Sequence, residues 1–130
     1  MILVDTSVWV DFFSPSPGPA GTELHRMIAD AEPLALSGLI VSEILQGLRR
    51  DVDQIERHLS QWDMLEPLGF STYCEAAAIF RIGRAKGLSL TTIDTLIAAI
   101  ALDHQAILFT VDQDFSSIAR ITRLQLHSNF

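Results

Sequence analysis

Asp5, Glu43, Asp94 and Asp112 each lie inside or at the edge of an apolar run, where a lone charge is costly. Asp5 follows Ile2-Leu3-Val4, and Asp112 follows Ala106-Ile107-Leu108-Phe109 after only Thr110 and Val111. Asp94 opens the most apolar helical stretch, Thr95 to Leu102, and Glu43 shares a helical stripe with Leu36 and Ile40 that runs on to Gly47. Carboxylates gathered in apolar surroundings need a cation to compensate them or protons to neutralise them. A shared divalent metal meets that need, and oxygen-only ligands select a hard cation, Mg²⁺ or Mn²⁺, over Zn²⁺. None of His25, His58, His104 and His127 stands at zinc-ligand spacing from another His or Cys, and all four read as surface or partner-facing residues.

Each acid also has a purely local reading. Asp5 suits an N-cap or Asx turn, Asp94 completes a Thr91-x-x-Asp94 capping box, Asp112 suits the cap of a short helix, and Glu43 the polar border of its own. The elements that must position them decide between the readings. Short apolar runs near Leu3, at Leu34 to Leu36, at Ala106 to Phe109 and at Leu124 to Leu126 read as strands, with Met64 to Leu68 an edge strand because Pro67 cannot donate to a central ladder. Helices are expected through Val8, Trp9 and Phe12, from a Thr22 cap to Ala31, around Ile40 to Arg50, over Asp51 to Trp62, from a Ser71 cap to a stop at Gly87, over Thr91 to His104, and at Phe115 to Ala119. Ser14-Pro15-Ser16-Pro17-Gly18-Pro19 is a loop. Alternating short strands and helices predict a mostly parallel sheet covered on both faces, in one domain over residues 1–130. In such a sheet ligands gather beyond the carboxyl ends of the strands, where Asp5 and Asp112 fall and where the helix start at Asp94 also points; Glu43 reaches the same rim from the helix after the second strand.

With 130 residues, 48% of them hydrophobic, the chain buries a core without staples, and its single cysteine, Cys74, excludes an internal disulfide. The opening Met-Ile-Leu-Val-Asp lacks the basic region of a secretion signal, and the longest apolar stretch, Leu96 to Leu102, is far short of the roughly 20 residues of a membrane span. These features predict an intracellular, cytoplasmic protein with no membrane partner. A net charge of −7 argues against broad nucleic-acid binding. The acid cluster accounts for part of it, however, and the basic residues are nearly all arginine, grouped as Arg49-Arg50 and as Arg81 with Arg84, which suits bidentate phosphate contact as well as a solvated helix face.

Four segments in this order, Val4-Asp5-Thr6-Ser7-Val8-Trp9, Ser42-Glu43-Ile44, Asp94-Thr95-Leu96-Ile97-Ala98-Ala99 and Thr110-Val111-Asp112-Gln113-Asp114-Phe115, resemble the PIN-domain ribonucleases, more narrowly the VapC toxins of type II toxin–antitoxin modules. The resemblance spans the chain. It implies a three-layer α/β/α fold and a Mg²⁺- or Mn²⁺-dependent endoribonuclease in which Asp5, Glu43, Asp94 and Asp112 are catalytic. Asp5, Asp94 and Asp112 would hold the metal, and Thr6 and Thr110 would supply hydroxyls beside it. Asp114 is either a further ligand or the start of the last helix. The resemblance also implies an RNA substrate, a VapB-like antitoxin whose C-terminal segment crosses a hydrophobic groove, for which Trp9, Phe12, Phe13 and the Trp62 region are candidates, and a homodimer. The alternative is a PIN-like module that binds RNA or a partner without cutting. A haloacid-dehalogenase-like phosphatase would need a second acid two residues after Asp5, where this chain has Ser7.

Overall fold

Apolar runs of three residues, too short to form helices, make three of the strands among the described residues, an exposed pair of residues makes the fourth at the edge, and the longer amphipathic segments cover them. The computed structural model describes residues 1–128. In chain order the elements are β1 (Ile2–Val4), α1 (Thr6–Phe12), α2 (Pro19–Ala29), β2 (Leu34–Leu36), α3 (Gly38–Gln46), α4 (Val52–Leu59), β3 (Asp63–Met64), α5 (Phe70–Ala85), α6 (Thr92–Asp103), β4 (Ile107–Phe109) and α7 (Gln113–Ile121). The sheet runs β3-β2-β1-β4 with every pairing parallel. Its centre carries Leu3, Val4, Leu36, Leu108 and Phe109, all fully buried. Burial on both faces is why these strands read as unbroken apolar runs instead of alternating ones.

The chain leaves β1 for β2 and then β3 in one direction, and returns past β1 to β4 in the other. Right-handed crossovers then place α1 to α4 on one face and α5 to α7 on the opposite face. Most helix contacts agree: α1 packs on α2 and α3, and α3 on α4, while α5, α6 and α7 pack on one another; α3 also touches α6 across the two layers. This is the expected three-layer α/β/α sandwich. The strand order reverses between β1 and β4, and an open parallel sheet forms its ligand crevice at such a switch.

Several expected boundaries differ. Helix α2 begins at Pro19, not at a Thr22 cap, because proline suits the first helical position and Asp11 supplies the missing acceptor, taking the Gly18 and Gly21 amides at 3.0 and 2.7 Å. Helix α5 begins after Gly69, not after a Ser71 cap. Gly69 has φ +148, a conformation that glycine tolerates, so the chain turns into the helix there. A Cβ on Gly47 would meet within 4 Å only carbonyls of its own helix, at 3.6 Å, so no other element packs closely against the helix there. The last predicted strand is reduced to one parallel bridge, Leu108 with Leu126. Leu36, placed on the Glu43 stripe from sequence, belongs to β2.

Candidate active site

Asp5 ends β1 and begins α1, and one carboxylate serves both. Its Oδ2 accepts from the Ser7 amide at 3.3 Å, the Ser7 hydroxyl at 2.8 Å and the Thr110 hydroxyl at 2.9 Å, with the residue only 4% exposed. Each hydroxyl has a single proton, and both are directed at Oδ2, so the 3.3 Å approach of Ser7 Oγ to Thr110 Oγ1 joins two lone-pair atoms. Those lone pairs are used in turn: the Val111 amide donates to Ser7 Oγ at 3.1 Å and the Asp112 amide to Thr110 Oγ1 at 3.0 Å. The network ties the end of β1 to the end of β4 across the switch point, and it leaves Asp5 Oδ1 outside these bonds.

Asp94 enters from α6, whose start is set by the Thr91 hydroxyl accepting the Asp94 amide at 3.1 Å. Asp112 caps α7 by accepting the Asp114 amide at 2.9 Å. The capping reading of Asp112 therefore holds, while Asp94 stands in the turn that the Thr91 hydroxyl caps without a bond from its carboxylate back to the Thr91 amide, and the site is built from the same residues. Carboxylate oxygens of Asp94, Asp112 and Asp114 all lie within 4.8 Å of one another. Burial pushes the Asp94 carboxyl up to about 6; the Thr91 hydroxyl opposes this, and the charges of Asp112, Asp114 and Asp5 add to it. Glu43, on α3, accepts the Thr6 hydroxyl at 2.8 Å, so the residue after Asp5 reaches across to α3.

None of Asp5, Glu43, Asp94, Asp112 and Asp114 forms an ion pair with Lys, Arg or His among the described residues. An uncompensated, oxygen-only set at a strand rim has the chemistry of a hard divalent-cation site, and the residues present fit such an ion. Asp114 sits in this group together with Asp112, so the structure brings both to Asp94. Ser7 escaped the sequence reading. The signal for it was the Asp-x-Ser spacing at a strand-to-helix junction, which lets the serine hydroxyl turn back on the acid two residues earlier.

The arginine groups separate. Arg81 and Arg84, both exposed, line a groove between α5 and the start of α6. Arg49 and Arg50 follow the C-terminal end of α3, the end that points away from the strand rim, and Arg50 faces Asp51 at 4.0 Å. Trp9 is fully buried, so it is core and not the wall of a groove; it packs on Phe12, Phe13, His58 and Trp62 with ring centroids 5.2 to 6.2 Å apart. His58, expected at the surface or facing a partner, is instead drawn inward. It lies within this aromatic cluster, its Nδ1 is buried without a hydrogen-bond partner, and burial lowers its pKa. His127 also turns inward, its Nε2 at 2.8 Å from Glu23 Oε2.

Residues 2–121 match the PIN domain family. The chain is 37% identical to the ribonuclease VapC11 of Mycobacterium tuberculosis, with 98% of each chain covered. Among solved structures it resembles VapBC2 of Rickettsia felis, bound to a DNA fragment from its promoter, with a TM-score of 0.77 and 21% identity over the whole of both chains. It also resembles the sarcin-ricin-loop-cleaving toxin VapC20 of M. tuberculosis, with a TM-score of 0.67 and 19% identity over 90% of this chain and 94% of the other.

Proposed function

Because this chain belongs to the PIN domain family, we propose that it is an endoribonuclease toxin of the VapC type, hydrolysing RNA phosphodiester bonds at the acidic rim between β1 and β4. The observation that carries this reading is the convergence of Asp94, Asp112 and Asp114 within 4.8 Å, with Asp5 close enough to raise the Asp94 pKa. Asp5, Asp94 and Asp112, joined by Asp114, would hold a divalent ion, Mg²⁺ or Mn²⁺. When bound, the ion activates a water and offsets the charge that builds on the phosphate oxygens. Three donors converge on one oxygen of Asp5, and its other oxygen lies outside those bonds. Glu43, steadied by Thr6, orients the attacking water. Thr110 and Ser7 hold the β1 and β4 ends in register so that the acids do not drift apart. In-line attack leaves a 5′-phosphate and a 3′-hydroxyl.

We read residues 1–130 as one PIN domain that acts in the cytoplasm. No described helix is long and apolar enough to cross a membrane. A VapB-like antitoxin silences it. Its apolar segment lies in the groove of about 360 Å³ between α3 and α4, lined by Val41, Leu45, Leu59 and Trp62, on the helix that carries Glu43. The active form is a homodimer, the commonest closed assembly.

The test is incubation of the antitoxin-free protein with total cellular RNA in Mg²⁺, in Mn²⁺ and in EDTA, beside Asp94→Asn, with new 5′ ends mapped by sequencing. Discrete cuts that need metal and vanish in the variant are expected. Folded protein that cuts nothing with either metal refutes the nuclease and leaves a binding module.

A further inference from the structure

Helices α5 and α6 leave a groove of about 480 Å³ between them, within the roughly 300–1,000 Å³ typical of ligand sites. Tyr73, Phe80, Arg81 and Arg84 recur along one face of α5, and Thr92 and Leu96 close the groove from α6. Three properties of this groove coincide. It contains no acid, although the chain carries a net charge of −7. Arg81 and Arg84 are exposed and form no ion pair among the described residues, unlike Arg26, which is held by Glu23, Asp30 and Glu32. The Arg84 guanidinium also lies 6.0 Å over the Phe80 ring, which fixes a cation beside an aromatic wall. Thr92, which lines the groove, and Asp94 share the first turn of α6 on different faces of the helix, so the groove ends at the same helix terminus that carries Asp94.

We propose that this groove binds a single-stranded stretch of the substrate RNA next to the scissile phosphate, with a base stacked on Tyr73 or Phe80 and backbone phosphates held by Arg81 and Arg84. The inference rests on the nuclease reading above and names where that site grips its substrate. Paired aromatic and arginine side chains are how proteins hold single strands with little sequence demand. A duplex cannot present its stacked bases to such a groove, so the bound segment is a loop or an unpaired end. A second copy of this chain is a poorer occupant, because a two-fold contact here brings the arginines of both copies together with no acid on the face to receive them.

The experiment measures the affinity of a fluorescein-labelled, mixed-sequence RNA single strand by anisotropy in EDTA, where binding is read without cleavage, across a salt series. Arg81→Ala/Arg84→Ala should flatten the slope of log affinity against log salt by roughly 1.4, about 0.7 for each lost phosphate contact on a single strand. Tyr73→Ala, at an exposed position that leaves the core intact, should weaken binding at least about fivefold with the slope unchanged. If the double variant keeps the wild-type slope, or loses no more than the charge-matched Arg49→Ala/Arg50→Ala, the groove is not the RNA site. Sedimentation that shows a wild-type dimer and a monomeric Arg81→Glu/Arg84→Glu, with RNA affinity equal in both, assigns the face to self-association and overturns the proposal. The nuclease reading is judged separately: loss of metal-dependent cuts in Asp94→Asn, beside an unaltered Arg81/Arg84 slope, retains the enzyme and rejects the groove.

Discussion

Replacing Asp94 by asparagine should make the metal-free protein more stable while removing its activity. In the wild type the folded carboxyl has a pKa of about 6 against an ordinary 3.8, because burial and the charges of Asp112, Asp114 and Asp5 disfavour its ionised form. For a carboxyl raised in this way the folded state binds more protons than the unfolded one between pH 3.8 and about 6. Stability therefore falls as pH rises through that window and stays reduced above it. Two pKa units correspond to about 3 kcal/mol as an upper bound, and partial solvent access reduces this to about 1–2 kcal/mol. Asparagine is nearly isosteric and uncharged. Urea denaturation in EDTA at pH 7.5 should show the variant more stable by that amount, and at pH 4 the gap should nearly close because wild-type Asp94 is then protonated. Saturating Mn²⁺ should reverse the order, since the ion stabilises only the state that binds it. A variant less stable than wild type at pH 7.5 in EDTA, or a gap equal at pH 4 and pH 7.5, refutes the view that uncompensated charge dominates this rim.

Ser7→Ala removes a hydroxyl that donates to the Asp5 side chain and accepts the Val111 amide; because water reaches the exposed Val111, the expected cost is about 1.5 kcal/mol. That corresponds to a midpoint lower by about 5 °C by calorimetry in EDTA and to Mn²⁺ affinity lower by roughly tenfold in titration calorimetry, with Ser7→Thr recovering both. Burial and the neighbouring Asp103 raise the Glu75 carboxyl to about 7, so Glu75→Gln should stabilise the protein at pH 8 with an advantage that disappears below pH 4.5 in denaturant midpoints. Glu23 is held down to about 2, first by Arg26 and then, against its burial, by His127. Its contribution is fully present above pH 4.5 and lost as pH falls toward 2. Glu23→Gln should therefore be destabilised at pH 7 and converge with wild type near pH 2, and a constant difference across acid titration contradicts the ion pair as its source.

Strand and helix identities were readable because they depend on period and length. Ile2 to Val4 and Ala106 to Phe109 have the length and composition of buried strands, and Thr91 caps its helix through a bond three residues away; the Ser37 cap of α3, of the same kind, was not read from the sequence. Boundaries failed where a distant group supplied the cap. Nothing near Pro19 announces that Asp11, on the preceding helix, accepts its first amides. The aromatic residues misled for a related reason. Trp9 has the composition of a binding groove, but what surrounds it decides that it is core, and a single sequence contains no record of neighbours brought in by Phe13, His58 and Trp62.

The candidate site divides along the same line. Local chemistry marked Asp5, Glu43, Asp94 and Asp112, since a carboxylate beside apolar residues needs a compensating partner wherever the chain takes it. The strand order, and with it the reversal between β1 and β4, brings segments about a hundred residues apart into one crevice, so that Ser7 and Thr110 meet on a single oxygen of Asp5. Asp114 joined Asp94 and Asp112 for the same reason: its place depends on how α7 leaves β4 relative to α6, a relation of packing between helices and not of spacing along the chain. The sequence by itself determined which residues carry charge and which segments must be buried, because those follow from residue type and period. The tertiary structure alone decided which acids share a field, which arginines line a groove and which aromatics are core, because each of those depends on contacts between segments far apart in the chain.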